Sequence, residues 1–325
     1  MIISRAPFRI SFFGGGTDYP EWYKENGGKF LSLAIDKYAY LTIRVKSSLI
    51  EKRFRVAWRL SEDVPKVSMI KHPIVRESLL EMNFDKGVDI SYIGDLPGGT
   101  GMGSSSAFTV ALNHGLLATL DKNPTPYELA EISYKIERNK LDEVIGIQDQ
   151  IASAFGGFNY VNIQKDGKYN LQEVLLDRED LENFLDRIIL VYTGISRRAS
   201  SVAEQQIEDI KKKKDILHEM QDMVTEGYNY LTSGNLDDFG SLLGKSWELK
   251  RSISNVISNI HIDELYERGV KNGALGGKLL GAGSGGFLMF FCKDGQRKNI
   301  EKCFDNEMIV PFSISESGSK IIYNE

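Results

Sequence analysis

The chain is poor in the residue types that mark several protein classes. Its 325 residues include two cysteines, Cys292 and Cys303, and four histidines. The two cysteines lack the spacing of a metal site, and so few of them indicate a reducing compartment rather than a disulfide framework. The longest apolar runs are too short to span a bilayer, and residues 1–5 do not resemble the start of a signal peptide. These absences predict a cytoplasmic protein with no membrane partner.

An excess of positive charge is also absent. Lysine and arginine number 40 against 45 aspartates and glutamates, so the formal net charge is −5. Without a basic field, nucleic acid is not an expected partner. A hydrophobic content of 42% and a charged content of 26% are typical of globular chains. The length suits one large domain or two ordinary ones, and we predict two, residues 1–185 and 186–325.

The hydrophobic pattern predicts an α+β fold. Alternating and β-branched runs predict strands, and apolar residues at helical spacing predict helices. The predicted strands are 2–13, 30–45, 158–163, 187–192, 286–292, 309–314 and 321–323. The predicted helices are 107–120, 127–138, 147–154, 200–231, 236–252 and 263–272. An apolar face on the long 200–231 helix, if exposed, would indicate a homodimer.

Glycine is concentrated where a strand-like run (Val88, Ile90, Tyr92) gives way to a predicted helix. The connecting segment, residues 96–107, contains Pro97, Gly98, Gly99, Gly101, Gly103, Ser104, Ser105 and Ser106. Glycines permit positive φ and close approach of the backbone, and a helix N-terminus presents unpaired N–H groups to an anion. The segment therefore predicts a phosphate-binding loop. The simpler alternative is a flexible turn with a serine cap.

Two better-known phosphate loops do not fit this sequence. A P-loop requires a lysine after its last glycine, and Gly103 is followed by serines. A Gly-x-Gly-x-x-Gly motif occurs at Gly281, Gly283 and Gly286, but it leads into a strand-like run where a dinucleotide-binding fold needs a helix.

Two more glycine motifs accompany the 96–107 segment. Residues 5–19 contain Arg9 and end in Gly-Gly-Gly-Thr-Asp-Tyr, and residues 278–287 read Lys-Leu-Leu-Gly-Ala-Gly-Ser-Gly-Gly-Phe. The three motifs, in this order and at these distances, resemble the GHMP family of small-molecule kinases, which includes galactokinase, homoserine kinase and mevalonate kinase. The resemblance covers essentially the full length of the chain. It departs at Ser284, where the family usually has glycine.

The resemblance implies a two-domain α+β fold. The N-terminal ATP-binding domain would contain a left-handed βαβ unit, and the C-terminal domain would be ferredoxin-like. The active site would lie in the cleft between them, where binding sites commonly occur.

The resemblance also implies roles for individual residues. ATP would bind at residues 97–106, and Mg²⁺ would be held by Ser105 and Glu137. Asp149 belongs to a Gly-x-x-Asp-Gln motif at residues 146–150, and Glu137 lies twelve residues before it. Asp149 would be the general base, with Arg9 beside it and beside the transferred phosphoryl group. The simpler alternatives are a solvated or helix-capping aspartate for Asp149 and a surface salt bridge for Arg9.

Substrate-binding residues are implied as well. Thr17 and Asp18 would bind the sugar, and the loop of Gly281 and Gly283 would close the site. Arg197, in the segment before the long helix, is a candidate for a second phosphate group. The alternatives are a turn residue for Asp18, a tight turn between strands for the 281–285 loop and an exposed charge for Arg197.

The triple glycine before Thr-Asp-Tyr most resembles the GHMP kinases of D-glycero-D-manno-heptose 7-phosphate, since galactokinases usually carry Ile-Gly-Glu-His there. The implied activity is ATP-dependent phosphorylation of the anomeric C1 hydroxyl, giving a 1,7-bisphosphate for nucleotide-activated heptose synthesis. The expected partner is a small sugar phosphate. Two alternatives stay open. One is a kinase for fucose, another sugar or a mevalonate-type alcohol, and the other is a catalytically inactive sugar-binding regulator.

Overall fold

Long antiparallel strands dominate the start of the chain, and helices dominate its middle. The structure is a computed structural model that describes residues 1–47, 49, 53–196 and 214–325. The strands are β1 (Ile2–Phe13), β2 (Gly28–Val45), β3 (Phe54–Ala57), β4 (Ser61–Val64), β5 (Val88–Gly94), β6 (Phe158–Ile163), β7 (Tyr169–Glu173), β8 (Ile188–Tyr192), β9 (Ala274–Leu279), β10 (Phe287–Cys292) and β11 (Lys320–Asn324).

The helices are α1 (Pro20–Asn26), α2 (Pro73–Glu81), α3 (Ser104–Ala118), α4 (Pro126–Tyr134), α5 (Gln148–Phe155), α6 (Arg178–Asp186), α7 (Lys214–Thr232), α8 (Leu236–Ile253), α9 (Ile260–Lys271) and α10 (Arg297–Cys303). A π-helical turn, Lys135–Lys140, follows α4 directly. None of the described helices is both long and apolar enough to cross a membrane.

The larger sheet is built on the antiparallel pair β1 and β2. Its strand order is β11-β1-β2-β5-β3-β4, and β6 extends it by pairing with the first part of β2 and with β7. Strands β3 and β5 are parallel, and α2 lies between them in the chain, which makes a βαβ unit. Helix α3 packs on β1 and β2. Their buried faces are the main core of this half of the chain.

The smaller sheet has the strand arrangement of a ferredoxin-like fold. Strands β8, β10 and β9 are antiparallel in that order. Ile309 forms an isolated bridge to Val191 at the outer edge of β8, in the position of the fourth strand of a ferredoxin-like sheet. Helix α8 packs closely on β9 because Gly240, Gly244 and Gly276 have no side chains between the two elements.

The predicted strand at 309–314 is wrong. Val310 donates a backbone hydrogen bond to Leu190 in β8, whereas Ser315 donates one to Ala34 in β2. The segment therefore leaves one sheet and joins the other within a few residues. Pro311 lies at the crossing, and a proline has no N–H with which to continue a strand. The other strands and helices predicted within the described residues are present, with ends shifted by a few residues. The first part of the predicted 200–231 helix, residues 200–213, lies outside the described residues.

The end of the chain returns to the first sheet, where β11 pairs with β1. Residues 320–324 thus lie with the N-terminal half, and the division at residue 185 stays a prediction. The apolar side of α7 is buried within the chain, through Leu217, Met220, Met223, Val224 and Leu231. The described part of this helix therefore has no apolar face that would require a second subunit, and a homodimer stays a prediction.

A cluster of phenylalanines joins the two sheets. Phe239 of α8 lies with its ring centroid 5.6 Å from that of Phe12 in β1 and 5.3 Å from that of Phe291 in β10. Phe184 contacts the same three rings, and Phe158 contacts Phe12 and Phe184. Edge-to-face and tilted ring pairs of this kind contribute packing energy beyond buried area. The cluster therefore fixes how the two halves of the chain meet.

We expect Phe239→Ala to lower the free energy of unfolding by about 3–5 kcal/mol, because it removes a fully buried ring and leaves a cavity. Denaturant unfolding would measure the change. Leu175→Ala is the control: this side chain is 80% exposed, so its loss should matter by no more than about 0.5 kcal/mol. Similar values for the two variants would contradict a joining role for the cluster.

Candidate active site

The loop between β5 and α3, residues 96–103, has the geometry of an anion-binding site. Gly99, Gly101 and Gly103 have positive φ values of 75°, 80° and 71°. Gly103 is the N-cap of α3 and provides no side-chain cap. Within the described residues, the N–H groups of Gly101, Gly103 and Ser104 donate no hydrogen bond to the protein. The simpler alternative, a turn with a serine cap, is therefore wrong, since the N-cap is a glycine. The free amides of the loop suit a phosphate.

The 280–286 loop packs against the 96–103 loop through backbone alone. A Cβ placed on Gly101 would overlap the carbonyl of Leu280, and one placed on Gly281 would lie 2.5 Å from Cα of Gly101. Phe287 N–H donates to the carbonyl of Thr100 at 3.2 Å. Only glycine permits so close an approach of two chains. Two motifs separated by about 180 residues in sequence thus share one contact.

Ser284 adopts the conformation that a glycine would be expected to adopt. Its φ is 65°, in the left-handed region. Its N–H donates to the carbonyl of Ile257 at 2.7 Å, and its hydroxyl donates to the carbonyl of Val256. These bonds offset a backbone strain that costs on the order of 1–2 kcal/mol for a residue with a side chain. Ser284 is therefore held in a left-handed conformation that a glycine would adopt without this strain.

Arg9 joins the first motif to the second and to the helix of Asp149. Its Nε and Nη2 donate to the two carboxylate oxygens of Asp149 at 2.7 and 2.8 Å, and its Nη1 donates to the carbonyl of Gly101 at 2.5 Å. Arg9 is 4% exposed, so this is not the surface salt bridge considered above. Asp149 lies in the first turn of α5, with its side chain 28% exposed. The aspartate is thus oriented, yet still open to a ligand.

Glu137 is buried beside the start of α3. Ser105 donates its hydroxyl proton to Oε1 at 2.9 Å, and Gln150 donates from Nε2 to Oε2 at 2.6 Å. Burial raises the pKa of Glu137 to about 6, although these hydrogen bonds act in the opposite direction. The π-helical turn that carries Glu137 is a local widening of the helix of a kind often found at functional sites.

Asp18 is buried close to Asp149. Its carboxylate accepts hydrogen bonds from the N–H groups of Gly16 and Gln148 at 3.3 and 3.2 Å. Burial, and next the charge of Asp149, raise the pKa of Asp18 to about 6. Thr17 is fully buried, and its hydroxyl donates to the backbone carbonyls of Gly14 and Lys29. Thr17 therefore shapes the turn that presents Asp18.

Two buried lysines lie near this cluster and were missed by sequence reasoning. Lys250 of α8 donates from Nζ to the carbonyl of Gly281 at 2.6 Å, and Lys278 of β9 donates to the carbonyl of Phe12 at 2.7 Å. One signal was present in the sequence: Lys250 follows Phe239, Leu243 and Trp247 at helical spacing, on the face that faces the core. A lysine at a core position is an unusual observation.

The structure brings most of the predicted site residues together. Arg9, Asp149, Asp18 and the glycines at 101, 103 and 281 lie at the junction of the two sheets, with Ser105 and Glu137 at the adjacent helix start. Gly283 instead packs on the backbone of Ile257. The candidate phosphate ligand Arg197 lies outside the described residues.

Comparison with known proteins gives matches across the chain. The GHMP kinases N-terminal domain matches residues 68–157, and the GHMP kinases C-terminal domain matches residues 229–309. A D-glycero-alpha-D-manno-heptose 7-phosphate kinase from Campylobacter jejuni is 27% identical, and the match covers 98% of this chain and 98% of the relative. A galactokinase from Thermosipho africanus is 26% identical over 98% of this chain and 96% of its own length.

Among solved structures, a D-glycero-D-manno-heptose 1-phosphate kinase from Bacteroides thetaiotaomicron superimposes with a TM-score of 0.81 over the whole of both chains, at 22% identity. At that identity the likeness concerns the fold. The two-sheet architecture, the ferredoxin-like second sheet and the matched domains agree with one another. Together they show that this chain is a member of the GHMP kinase family, with the similarity to sugar kinases extending over its full length.

Proposed function

We propose that this sugar kinase uses ATP to phosphorylate the anomeric C1 hydroxyl of D-glycero-D-manno-heptose 7-phosphate, giving the 1,7-bisphosphate for nucleotide-activated heptose synthesis. One observation carries the kinase chemistry: Asp149 is held by both carboxylate oxygens to a buried arginine, directly beside a loop with free backbone amides. A cradle for phosphates and an oriented carboxylate are the two parts that phosphoryl transfer to a hydroxyl requires.

In this proposal Asp149 takes the proton of the attacking hydroxyl. The hydroxyl oxygen forms a bond to the γ-phosphorus, the bond from that phosphorus to the β,γ-bridging oxygen breaks, and ADP leaves with that oxygen. Arg9 keeps the carboxylate in place and contributes positive charge beside the transferred group. The free amides of the 96–103 loop hold the phosphates of ATP.

The residues near the start of α3 fit a magnesium ion. Ser105 Oγ and Glu137 Oε1 lie 2.9 Å apart, and the buried Oε1 of Gln150 has no partner within the described residues. Mg²⁺ prefers oxygen ligands and commonly takes only one or two carboxylates, together with phosphates and water. When bound, it would neutralise phosphate charge. Ser105 and Glu137 are the residues that would hold it.

The turn before Asp18 supports an acceptor longer than a hexose. Gly15 and Gly16 occupy the positions where galactokinases usually carry glutamate and histidine. A Cβ at Gly15 would have no atom within 4 Å. The turn before Asp18 therefore leaves open space at Gly15, which we assign to the acceptor, and the Campylobacter relative is named for a heptose 7-phosphate. We propose Arg197 as one candidate residue for binding the 7-phosphate.

The alternatives make different use of the same site. The similarity to a galactokinase keeps another sugar open as the acceptor. A sugar-binding regulator would have no need of an aspartate held by a buried arginine at a phosphate loop. The presence of Arg9, Ser105, Glu137 and Asp149 in one cluster therefore favours catalysis.

We expect Asp149→Ala to lower kcat by roughly 10²–10⁴-fold, since general-base catalysis contributes about that much. ADP release with ATP and Mg²⁺ would be measured with D-glycero-D-manno-heptose 7-phosphate, sedoheptulose 7-phosphate, galactose, fucose and mevalonate. For the wild type, turnover confined to the manno-heptose phosphate is the expected result. Turnover of an unphosphorylated sugar alone would overturn the proposed acceptor, and full activity of Asp149→Ala would overturn the base.

Gly15→Glu tests the space beside Asp18. A carboxylate there should repel a phosphorylated acceptor and fill the room that we assign to it, so kcat/KM for the heptose 7-phosphate should fall about tenfold or more. Gly15→Ala adds a Cβ that meets nothing within 4 Å and should behave like the wild type. Unchanged kinetics of the glutamate variant would show that the acceptor does not pass this turn.

Asp18→Asn separates binding from stability. The pKa of Asp18 is raised from 3.8 to about 6 in the folded protein, so above pH 6 its charge destabilises the fold by about 2–3 kcal/mol. The asparagine variant should therefore unfold at a higher temperature than the wild type at pH 8, and this gain should vanish below about pH 4. KM for the acceptor should rise, because the variant lacks the carboxylate that would accept hydrogen bonds from the sugar hydroxyls. A lower melting temperature at pH 8 would contradict the assignment.

A further inference from the structure

Lys250 and Lys278 are buried lysines that have no role in the proposed chemistry described above. Their residues are 7% and 3% exposed. Within the described residues, neither ammonium lies within 4.0 Å of a carboxylate, and each donates a hydrogen bond to one backbone carbonyl. A lysine ammonium has three N–H donors. Burying such a charge without an ion pair is costly, so a chain that keeps one at a core position needs a compensating benefit.

The charged groups that act on Lys250 belong to the active site. The charge of Arg9 disfavours the charged form of Lys250, and the charge of Asp18 favours it. Lys250 and Arg9 in turn disfavour the charged form of Lys278. Arg9 already forms a bidentate ion pair with Asp149. Lys250 has no such ion pair within the described residues, so its positive charge at the junction of the two sheets is compensated only in part, by Asp18. An anion bound there would supply the missing opposite charge.

The hydrogen bond of Lys250 ends at the contact between the two glycine loops. Its acceptor is the carbonyl of Gly281, and Gly281 is the residue whose Cβ would meet Cα of Gly101. Lys250 thus connects α8 to the point where the 280–286 loop lies on the 96–103 loop. A shift of this side chain would move the loop contact directly.

We propose that Lys250 is a positioning residue of the phosphoryl-transfer site: its ammonium holds the 280–286 loop against the 96–103 loop and offsets the negative charge of the phosphates bound there. This inference rests on the proposed binding of ATP phosphates at the 96–103 loop. It does not depend on which sugar is the acceptor.

Titration supports the same role. Burial, and next the charge of Arg9, lower the pKa of Lys250 to about 8, while Asp18 acts in the opposite direction. The side chain is therefore charged at pH 7 and loses its charge as the pH rises through 8. Activity that depends on this charge should decline on the alkaline side, whereas an arginine at the same position stays protonated throughout.

The test compares Lys250→Met and Lys250→Arg with the control Lys245→Met. Lys245 lies on the same helix, but its side chain is 61% exposed and pairs with Glu219. Two quantities would be measured for each protein: the affinity for a non-hydrolysable ATP analogue by calorimetry, and kcat/KM for ATP between about pH 6.5 and 9.5. The analogue needs no acceptor, so an incorrect acceptor would leave this arm intact.

We expect Lys250→Met to weaken binding of the analogue about tenfold or more and to lower kcat/KM, without lowering the melting temperature, because methionine removes a buried charge. Lys250→Arg should recover much of the affinity and shift the alkaline decline to higher pH. Lys245→Met should match the wild type.

Two results would overturn the proposal. One is an affinity for the analogue in Lys250→Met equal to that of Lys245→Met. The other is an alkaline decline in Lys250→Arg identical to that of the wild type, which decides the question even if Lys250→Met does not fold. Turnover of a different sugar by the wild type would contradict the proposed acceptor alone and would leave the role of Lys250 standing.

Discussion

The bidentate bond between Arg9 and Asp149 is the interaction on which the rest of the site depends. The planar guanidinium matches a carboxylate with two parallel N–H donors, and so fixes the orientation of Asp149 as well as its distance. The third bond of Arg9, to Gly101, places that carboxylate against the 96–103 loop. Gln148, the neighbour of Asp149, then holds Asp18 through its backbone N–H. Strand, loop and helix are thereby joined at one buried group.

The second constraint is the absence of side chains where the two glycine loops meet. Gly101 and Gly281 approach so closely that a methyl group on either would overlap the backbone of the other loop. The aromatic cluster around Phe239 joins the same two sheets through packed rings. The aromatic contact is rigid because it is apolar and well packed. The contact between Gly101 and Gly281 is close because both residues have only backbone atoms there. Both contacts determine how the two sheets meet.

Buried charge gives the site its chemical character and lowers the stability of the fold. Asp18 and Glu137 have pKa values raised to about 6, and Lys250 has one lowered to about 8, in each case chiefly because burial disfavours the charged form. Such groups are costly in the free protein, and a ligand of opposite charge relieves the cost. Perturbed titration of this kind is common at functional sites for that reason. Activity is thus obtained at some expense of stability.

Local sequence patterns were sufficient to predict most of the secondary structure and the family of this protein. Alternation and helical spacing predicted most of the strands and helices, and the three glycine motifs predicted the family that the comparisons then showed. The segment 309–314 was misread because its apolar residues serve two different sheets on either side of Pro311. Lys250 was missed because a single polar residue in an apolar pattern does not say what it touches. The sequence by itself determined the local elements, the glycine positions and the chemical groups available. Only the tertiary structure decided that Arg9 meets Asp149, that Gly101 meets Gly281 and that Lys250 reaches their junction, because contacts between residues so far apart in the chain depend on how the two sheets pack.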